Sequence, residues 1–139
     1  MWWGYALLSA VFAGLTAILA KIGVKGVDSN LATAIRTTVI LVLAWGVVLL
    51  TGTAKTINHL SVNTWIFLGL SGIATGLSWL FYFRALQIGN VSQVAPIDKF
   101  SLVFTVVLSI LILKEKINWG TAVGVLLMTV RSLLVLVWK

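Results

Sequence analysis

Residues Leu31–Thr51 read LATAIRTTVILVLAWGVVLLT, an apolar run that contains one charge, Arg36. A helix needs ~20 mainly apolar residues to cross the hydrocarbon core of a bilayer, so this run is long enough to span a membrane. Four other runs of similar length lie at about Trp3–Ala20, Thr64–Leu86, Ser92–Leu113 and Asn118–Trp138. We therefore predict an all-α integral membrane protein with five transmembrane helices in a single domain, residues 1–139.

The breaks between these runs carry residues that typically start helices. Asp28-Ser29-Asn30 precedes the second run, Asn63-Thr64 the third, Asn90 and Ser92 the fourth, and Asn118 the fifth. Side-chain oxygens of such residues accept hydrogen bonds from the free N–H groups of a first helical turn. The breaks are short, and none of them is large enough to fold as a soluble domain.

Composition agrees with a membrane location. Of the 139 residues 60% are hydrophobic and 9% charged, and the mean hydropathy is +1.11, whereas soluble domains are ~45–50% apolar and ~25% charged. A soluble globule of this composition would have too few polar side chains to cover its surface. Because the chain has no cysteine, disulfide scaffolds and thiolate metal sites are also excluded.

The net charge of +7, from ten Lys and Arg against three acids, does not indicate a nucleic-acid partner. Most of the basic residues stand near the ends of apolar runs, where they anchor spans and meet lipid headgroups. Three of them (Lys55, Lys114, Lys116) fall on the predicted amino-terminal side and five (Lys21, Lys25, Arg84, Arg131, Lys139) on the other. This bias is weak, so insertion in either orientation is plausible.

Three charged residues lie at comparable depth inside predicted spans, Arg36 in the second and Asp98 and Lys99 in the fourth, and Arg131 in the last span is a fourth. Each costs on the order of 2.5–3.5 kcal/mol at a helix centre and less near the ends. We predict that Arg36 pairs with Asp98, and that these three residues with Trp79, Tyr82 and Arg84 form a polar vestibule on the substrate pathway. The alternative is an ion pair that only fixes helix register, with Trp79 serving packing. For Arg131 in the last span we favour snorkelling to the interface.

Hydroxyl side chains extend this polar face. At 100° per residue Asp98, Ser101, Thr105 and Ser109 fall on one side of the fourth span, and Ser71, Thr75, Ser78 and Tyr82 do the same on the third. We favour a wet path along these stripes, with hydrogen bonding to backbone carbonyls as the structural alternative. Pro96, the single proline, either kinks the helix and frees the carbonyl of Ser92 or merely starts the helix.

Small residues at helical spacing mark two further faces, with Gly72 and Gly76 in the third span and Gly120 and Gly124 in the fifth. Such faces let helices approach closely in lipid. We predict packing within the bundle, and the alternative is a contact between subunits.

The run ALQIGNVSQVAPIDKFS at residues 85–101, followed by LKEK at 113–116 and a glycine-rich last span, resembles the EamA-like half of the drug/metabolite transporter superfamily. The resemblance is greatest to its short, single-repeat bacterial and archaeal branch. It implies two five-helix units, inverted relative to each other, around a central site, so that this chain would pair with a second copy or a paralogue. It also implies a multi-pass protein of the prokaryotic cytoplasmic membrane.

The positions that match the family are Arg36, Pro96, Asp98, Lys99 and Glu115, and we interpret Glu115 as a structural cap or loop contact. The first span holds no acid, unlike that of the related four-span small multidrug-resistance proteins, which argues against proton-driven export of lipophilic cations. We therefore predict a secondary transporter of a small anionic or zwitterionic metabolite, working by alternating access in an antiparallel dimer.

Two other functions stay open, a non-transporting membrane scaffold subunit and half of a heterodimeric lipid-carrier flippase. An enzyme is not expected, because the single histidine, His59, lies in a loop and no nucleophile–base pair is visible. The sequence indicates no cofactor and no metal site. The partners that it predicts are the lipid bilayer, a small-molecule substrate and a second transporter half.

Overall fold

The computed structural model describes residues 1–137, and all of its regular structure is helical. Within these residues the α-helices are α1 (Trp2–Gly23), α2 (Ser29–Leu50), α3 (Val62–Ile88), α4 (Val91–Asp98), α5 (Ser101–Leu111) and α6 (Trp119–Val137). A 3-10 helix, Thr53–His59, lies between α2 and α3. The predicted all-α class is confirmed for the described part of the chain.

Four segments are long and apolar enough to cross a membrane: α1, α2, α3 and the combined Val91–Leu111 segment. The last helix contributes a shorter apolar segment, Trp119–Val135. The observed α1, α2 and α3 extend the predicted helical runs at one end or both, because the flanking turns continue the backbone hydrogen bonding. The predicted end of the fifth run, Trp138, lies outside the described residues, as does Lys139.

The fourth run is not the continuous helix that we predicted over Ser92–Leu113. It divides into α4 and α5 at Lys99 and Phe100, and α5 ends at Leu111. Around the division the backbone makes i→i+3 bonds, from the Phe100 N–H to the Ile97 carbonyl (2.9 Å) and from the Leu102 N–H to the Lys99 carbonyl (3.0 Å). Pro96, the sixth residue of α4, has no N–H for the carbonyl of Ser92, so the hydrogen bond that it removes lies in the turn before the division.

Helix starts follow the predicted chemistry at two of the breaks. The Asp28 carboxylate caps α2 by accepting from the N–H groups of Asn30 (2.8 Å) and Leu31 (3.2 Å). At α6 the Asn118 side-chain oxygen accepts from the N–H of Thr121 at 2.9 Å. At α3 the prediction was wrong by two residues, because the Ser61 hydroxyl, and not Asn63, accepts from the N–H of Thr64 (3.2 Å).

The chain folds as two compact units. The central unit is Leu19–Ile88, in which α2 packs on α3. The terminal unit joins Met1–Ile18 to the chain from Gly89 onward, and in it α6 packs on α4 and α5. The boundary between the units falls within α1.

Few side chains are withdrawn from the surface. The buried hydrophobic residues among those described are Ala17, Val24, Phe83 and Leu86, whereas most Leu, Ile and Val side chains in the helices are exposed. Apolar faces on this scale, in helices of spanning length, are what a bilayer covers. The structure therefore belongs to a multi-pass membrane protein.

Candidate functional site

Arg36 is placed against aromatic rings in the central unit. It lies seven residues into α2, about 10 Å from the start of the helix at 1.5 Å per residue. Its guanidinium carbon is 4.3 Å from the ring centroid of Trp79 and 5.3 Å from that of Phe83. Trp79 and Phe83 stand four residues apart on α3 and so share one face. The structure thus brings together two predicted site residues, Arg36 and Trp79, and adds Phe83, which sequence reasoning missed.

No carboxylate of the central unit neutralises Arg36. Asp28 is the one acid between Leu19 and Ile88, and its carboxylate is engaged in capping α2. Tyr82 lies on α3 between Trp79 and Phe83 in sequence and is half-buried. Ring faces hold a cation through their negative quadrupole without cancelling its charge. Arg36 therefore keeps its positive charge available within its unit.

Two hydrogen bonds hold the connection between α1 and α2 against the end of α3. The Lys21 ammonium donates to the carbonyl of Leu86, and the Gln87 amide donates to the carbonyl of Val27 at 2.9 Å. Val24 and Leu86 are buried beside them. Sequence reasoning missed this junction, although a glutamine ending an apolar helix was an available signal. Because the junction lies just before α2, it helps to fix the position from which Arg36 projects.

Arg84, the remaining predicted vestibule residue of α3, donates to the Gln87 side-chain oxygen at 2.9 Å. The interaction joins residues three apart on one helix, and Arg84 is exposed. We therefore assign Arg84 to this helix end and leave it out of the candidate site.

In the terminal unit the polar residues of the fourth run stand at the helix break. Asp98 ends α4 and Lys99 follows it, and their side chains form an ion pair at 3.8 Å. Lys99 is exposed and Asp98 is half-buried. Arg36 and Asp98 belong to different units, so the pair predicted between them stays a prediction.

The hydroxyls of the predicted stripes bind their own helices. The Thr105 hydroxyl donates to the carbonyl of Ser101 (3.0 Å), and the Thr75 hydroxyl donates to the carbonyl of Ser71 (2.9 Å). Hydrogen bonding to backbone carbonyls is the structural alternative to the wet path that the sequence left open. Each hydroxyl oxygen can still accept hydrogen bonds, and all four of these residues are exposed, so the wet path stays a prediction. The break in the fourth run also means that Asp98 and Ser101 do not share one continuous helical phase.

A serine of α6 forms a hydrogen bond with the backbone at the helix break. Because the Phe100 N–H donates to Ile97, the Pro96 carbonyl lacks its usual i+4 donor, and the buried Ser132 hydroxyl lies 2.9 Å from it. The same hydroxyl is 2.9 Å from the carbonyl of Met128. Sequence reasoning gave Ser132 no role, although an antiparallel last helix would bring it to the depth of Pro96.

A polar cavity of about 330 Å³ lies beside the loop after α5, and its lining includes Thr105, Ser109, Glu115, Asn118 and Thr121. The Glu115 backbone N–H donates to the carbonyl of Ser109 at 3.2 Å, and the predicted role of its side chain stays a prediction. Lys114 takes a left-handed backbone conformation, with φ of 53°, and so turns the chain back toward Ser109.

The predicted glycine faces border open space. A Cβ added at Gly72, Gly76 or Gly124 would meet no atom within 4 Å, and one at Gly120 would meet only the Asn118 side-chain oxygen at 3.1 Å. Packing through these faces, within a bundle or against another subunit, stays a prediction.

Apolar helices of spanning length that carry charged residues such as Arg36 within or between them define a polytopic membrane protein with internal polar sites, the class that includes transporters. Comparison with known proteins identifies the family within this class. Residues 1–137 match the EamA-like transporter family, and the chain belongs to that family.

A relative from Sinorhizobium sp., named as an uncharacterized transporter in the cobO 3′ region, is 46% identical over 137 residues, or 99% of this chain and 97% of the relative. No solved structure matches the chain significantly. The family and the relative point to a membrane transporter rather than an enzyme.

Proposed function

We propose that this protein is a secondary transporter of a small anionic or zwitterionic metabolite, and that it works by alternating access. In this proposal the chain crosses the prokaryotic cytoplasmic membrane five times and forms half of an antiparallel homodimer. Membership of a transporter family over nearly the whole chain supports transport. The resemblance to the single-repeat branch supports pairing with a second copy.

The observation that carries the proposal is the state of Arg36. A charge at membrane depth is costly and is retained mainly where it has a function. Arg36 is held over Trp79 at 4.3 Å, and the one carboxylate of its unit caps a helix instead. An arginine with positioned aromatic contacts and no carboxylate partner in its unit is suited to bind a carboxylate or phosphate through its forked N–H groups.

The polar residues of the fourth run supply the rest of the proposed pathway. The Asp98–Lys99 ion pair is long, at 3.8 Å, so either group can rearrange toward a passing solute or proton. Ser101 and Thr105 are exposed on α5, and their oxygens can solvate a polar substrate. The break after Asp98 resembles, in kind, the discontinuous helices that form binding sites in other transporters.

The experiment that tests the proposal begins with a thermal-shift screen of carboxylate- and phosphate-bearing metabolites on the purified protein, because a ligand of the folded state raises its stability. The best ligand then serves as the radiolabelled probe in proteoliposomes. We expect Arg36→Ala to reduce uptake by tenfold or more and Arg36→Lys to retain part of it, because the lysine keeps the charge and loses the fork. Arg84→Gln, which also removes one cation, should leave uptake near the wild-type rate.

Equal uptake by the wild-type protein and Arg36→Ala would remove Arg36 from the site. If no member of the panel binds or is transported, the non-transporting scaffold becomes the better account. A cysteine introduced at Thr105 adds a second readout. Labelling there by a water-soluble maleimide supports a wet path, whereas protection in the assembled protein supports the sealed interior of a scaffold.

A further inference from the structure

The terminal unit contains a recess between α4 and α6, which shares Lys99 with the proposed transport pathway. It has a volume of about 260 Å³. The hydrogen bond from Ser132 to the carbonyl of Pro96, at 2.9 Å, joins the two helices at its wall. Its lining consists of Ala95, Pro96, Lys99, Met128, Arg131 and Ser132.

The charge of this recess is positive. Lys99 and Arg131 both line it, and no acid does. The Asp98 carboxylate lies 3.8 Å from the Lys99 ammonium but outside the lining, so it offsets part of the Lys99 charge and leaves Arg131 as the cation of the recess without a nearby carboxylate. Arg131 has no hydrogen bond or ion pair within residues 1–137, although its guanidinium carries five N–H donors. Two cations around one recess within membrane-spanning segments repel each other, because the surrounding dielectric constant is low, and an anion between them would relieve that repulsion.

The donor set fits a phosphoryl group better than a neutral ligand. A guanidinium binds two phosphate oxygens at once, and an ammonium adds a point charge. The Ser132 hydroxyl is engaged with backbone carbonyls, so recognition falls to the two charged groups. Ala95 and Met128 give the recess apolar walls beside them.

The surroundings of Arg131 favour a lipid as the source of that phosphoryl group. Exposed apolar side chains lie one helical turn on either side of it, with Leu127 at 64% and Leu134 at 54% exposure. Acyl chains can run along these side chains while the headgroup sits between the two cations. Basic recesses between transmembrane helices are known lipid-headgroup sites. We propose that Lys99 and Arg131 bind the phosphodiester of an anionic phospholipid in the recess between α4 and α6.

This role does not depend on the transported substrate, and it is tested by binding alone. Detergent-purified, delipidated full-length protein is titrated with phosphatidylglycerol or phosphatidylcholine and examined by native mass spectrometry. Both lipids carry a phosphodiester, but the choline of phosphatidylcholine adds a positive charge that Lys99 and Arg131 repel, so we expect the wild-type protein to bind phosphatidylglycerol about tenfold more tightly. Arg131→Gln and Lys99→Gln should each lose most of this tenfold selectivity, because each removes one of the two positive charges that distinguish an anionic headgroup from a zwitterionic one.

Lys116→Gln is the matched control, because it removes one exposed cation outside the recess and should keep the selectivity. Circular dichroism reports whether each variant is folded. If Arg131→Gln is not folded, Arg131→Lys takes its place, and we expect it to show weakened but measurable selectivity because the charge stays and the fork is lost.

Soluble phosphate provides the second arm. Inorganic phosphate and glycerol 3-phosphate should stabilise the protein far less in a thermal-shift assay than phosphatidylglycerol does. Equal stabilisation would overturn the lipid as the source and assign the recess to a soluble phosphate. Equal binding of the two lipids by the wild-type protein, or full selectivity in Arg131→Gln or Arg131→Lys, would overturn the site itself.

Discussion

Arg36 shows how a single charged residue is kept within an apolar helix. Placing an arginine at the centre of a spanning helix costs ~2.5–3.5 kcal/mol, and a cation–π contact returns ~0.5–2 kcal/mol. The rings of Trp79 and Phe83, at 4.3 Å and 5.3 Å, therefore offset much of the cost. They do so without a negative charge, so the guanidinium keeps its attraction for an anion. A carboxylate in their place would have stabilised the residue more and made it a poorer anion receptor.

The contribution of the Asp28 cap to the stability of α2 can be tested by substitution. Its carboxylate accepts hydrogen bonds from two N–H groups of the first turn of α2. Asp28→Ala should lower the free energy of unfolding by about 1 kcal/mol, measured by circular dichroism during unfolding in mixed SDS and neutral-detergent micelles. Asp28→Asn is the control, because an asparagine oxygen can cap the helix and should preserve most of the stability. A similar loss in both variants would mean that the charge, and not the cap, stabilises the helix.

At the scale of elements, the interruption of the fourth run is the feature that the sequence only half determined. Pro96 indicated either a helix start or a kink, and the structure places it six residues into α4, with the break after Asp98. The helix-start interpretation is therefore wrong. The sequence pattern did not show which group would bind the Pro96 carbonyl at the break. In the structure that group is the Ser132 hydroxyl, 36 residues later.

Ser132→Ala tests the contribution of that contact to the packing of α4 on α6. Hydrogen bonds between helices in a bilayer contribute roughly 0.6–1.7 kcal/mol, and we expect a loss of that size in SDS-induced unfolding. Thr129→Ala is the matched control, since the Thr129 hydroxyl donates to the carbonyl of Val125 in its own helix at 2.7 Å. Equal stability of the wild-type and Ser132→Ala proteins would show that the Pro96 carbonyl finds another donor.

For the whole molecule, the weak charge bias and the exposed apolar faces are the two properties that bear on the proposed antiparallel pair. Three basic residues stand on one predicted side and five on the other, and a bias this small orients a membrane protein poorly. Few apolar side chains of the described residues are buried, so lipid or another subunit must cover the rest. An antiparallel pair would use both properties, because it requires copies in both orientations.

The absence of native cysteine makes orientation directly measurable. Asn58 and Asn90 are exposed, and the proposed five-span topology places them on opposite sides of the membrane. In sealed cells an impermeant maleimide should label about half of the Asn58→Cys protein and about half of the Asn90→Cys protein, if both orientations occur. Adding lysines beside Asn58 should then shift both fractions in opposite directions. Complete labelling of one variant and none of the other would exclude the antiparallel pair.

The sequence by itself determined that this protein lies in a lipid bilayer, how far its helices approximately extend and which charged residues lie inside them. These properties depend on local composition and on 3.6-residue periodicity, which single segments contain. Only the tertiary structure decided which groups meet: Trp79 and Phe83 at Arg36, Gln87 at the Val27 carbonyl, and Ser132 at Pro96. Such contacts depend on the rotation and depth at which two distant helices pack, and no single helical segment encodes either quantity.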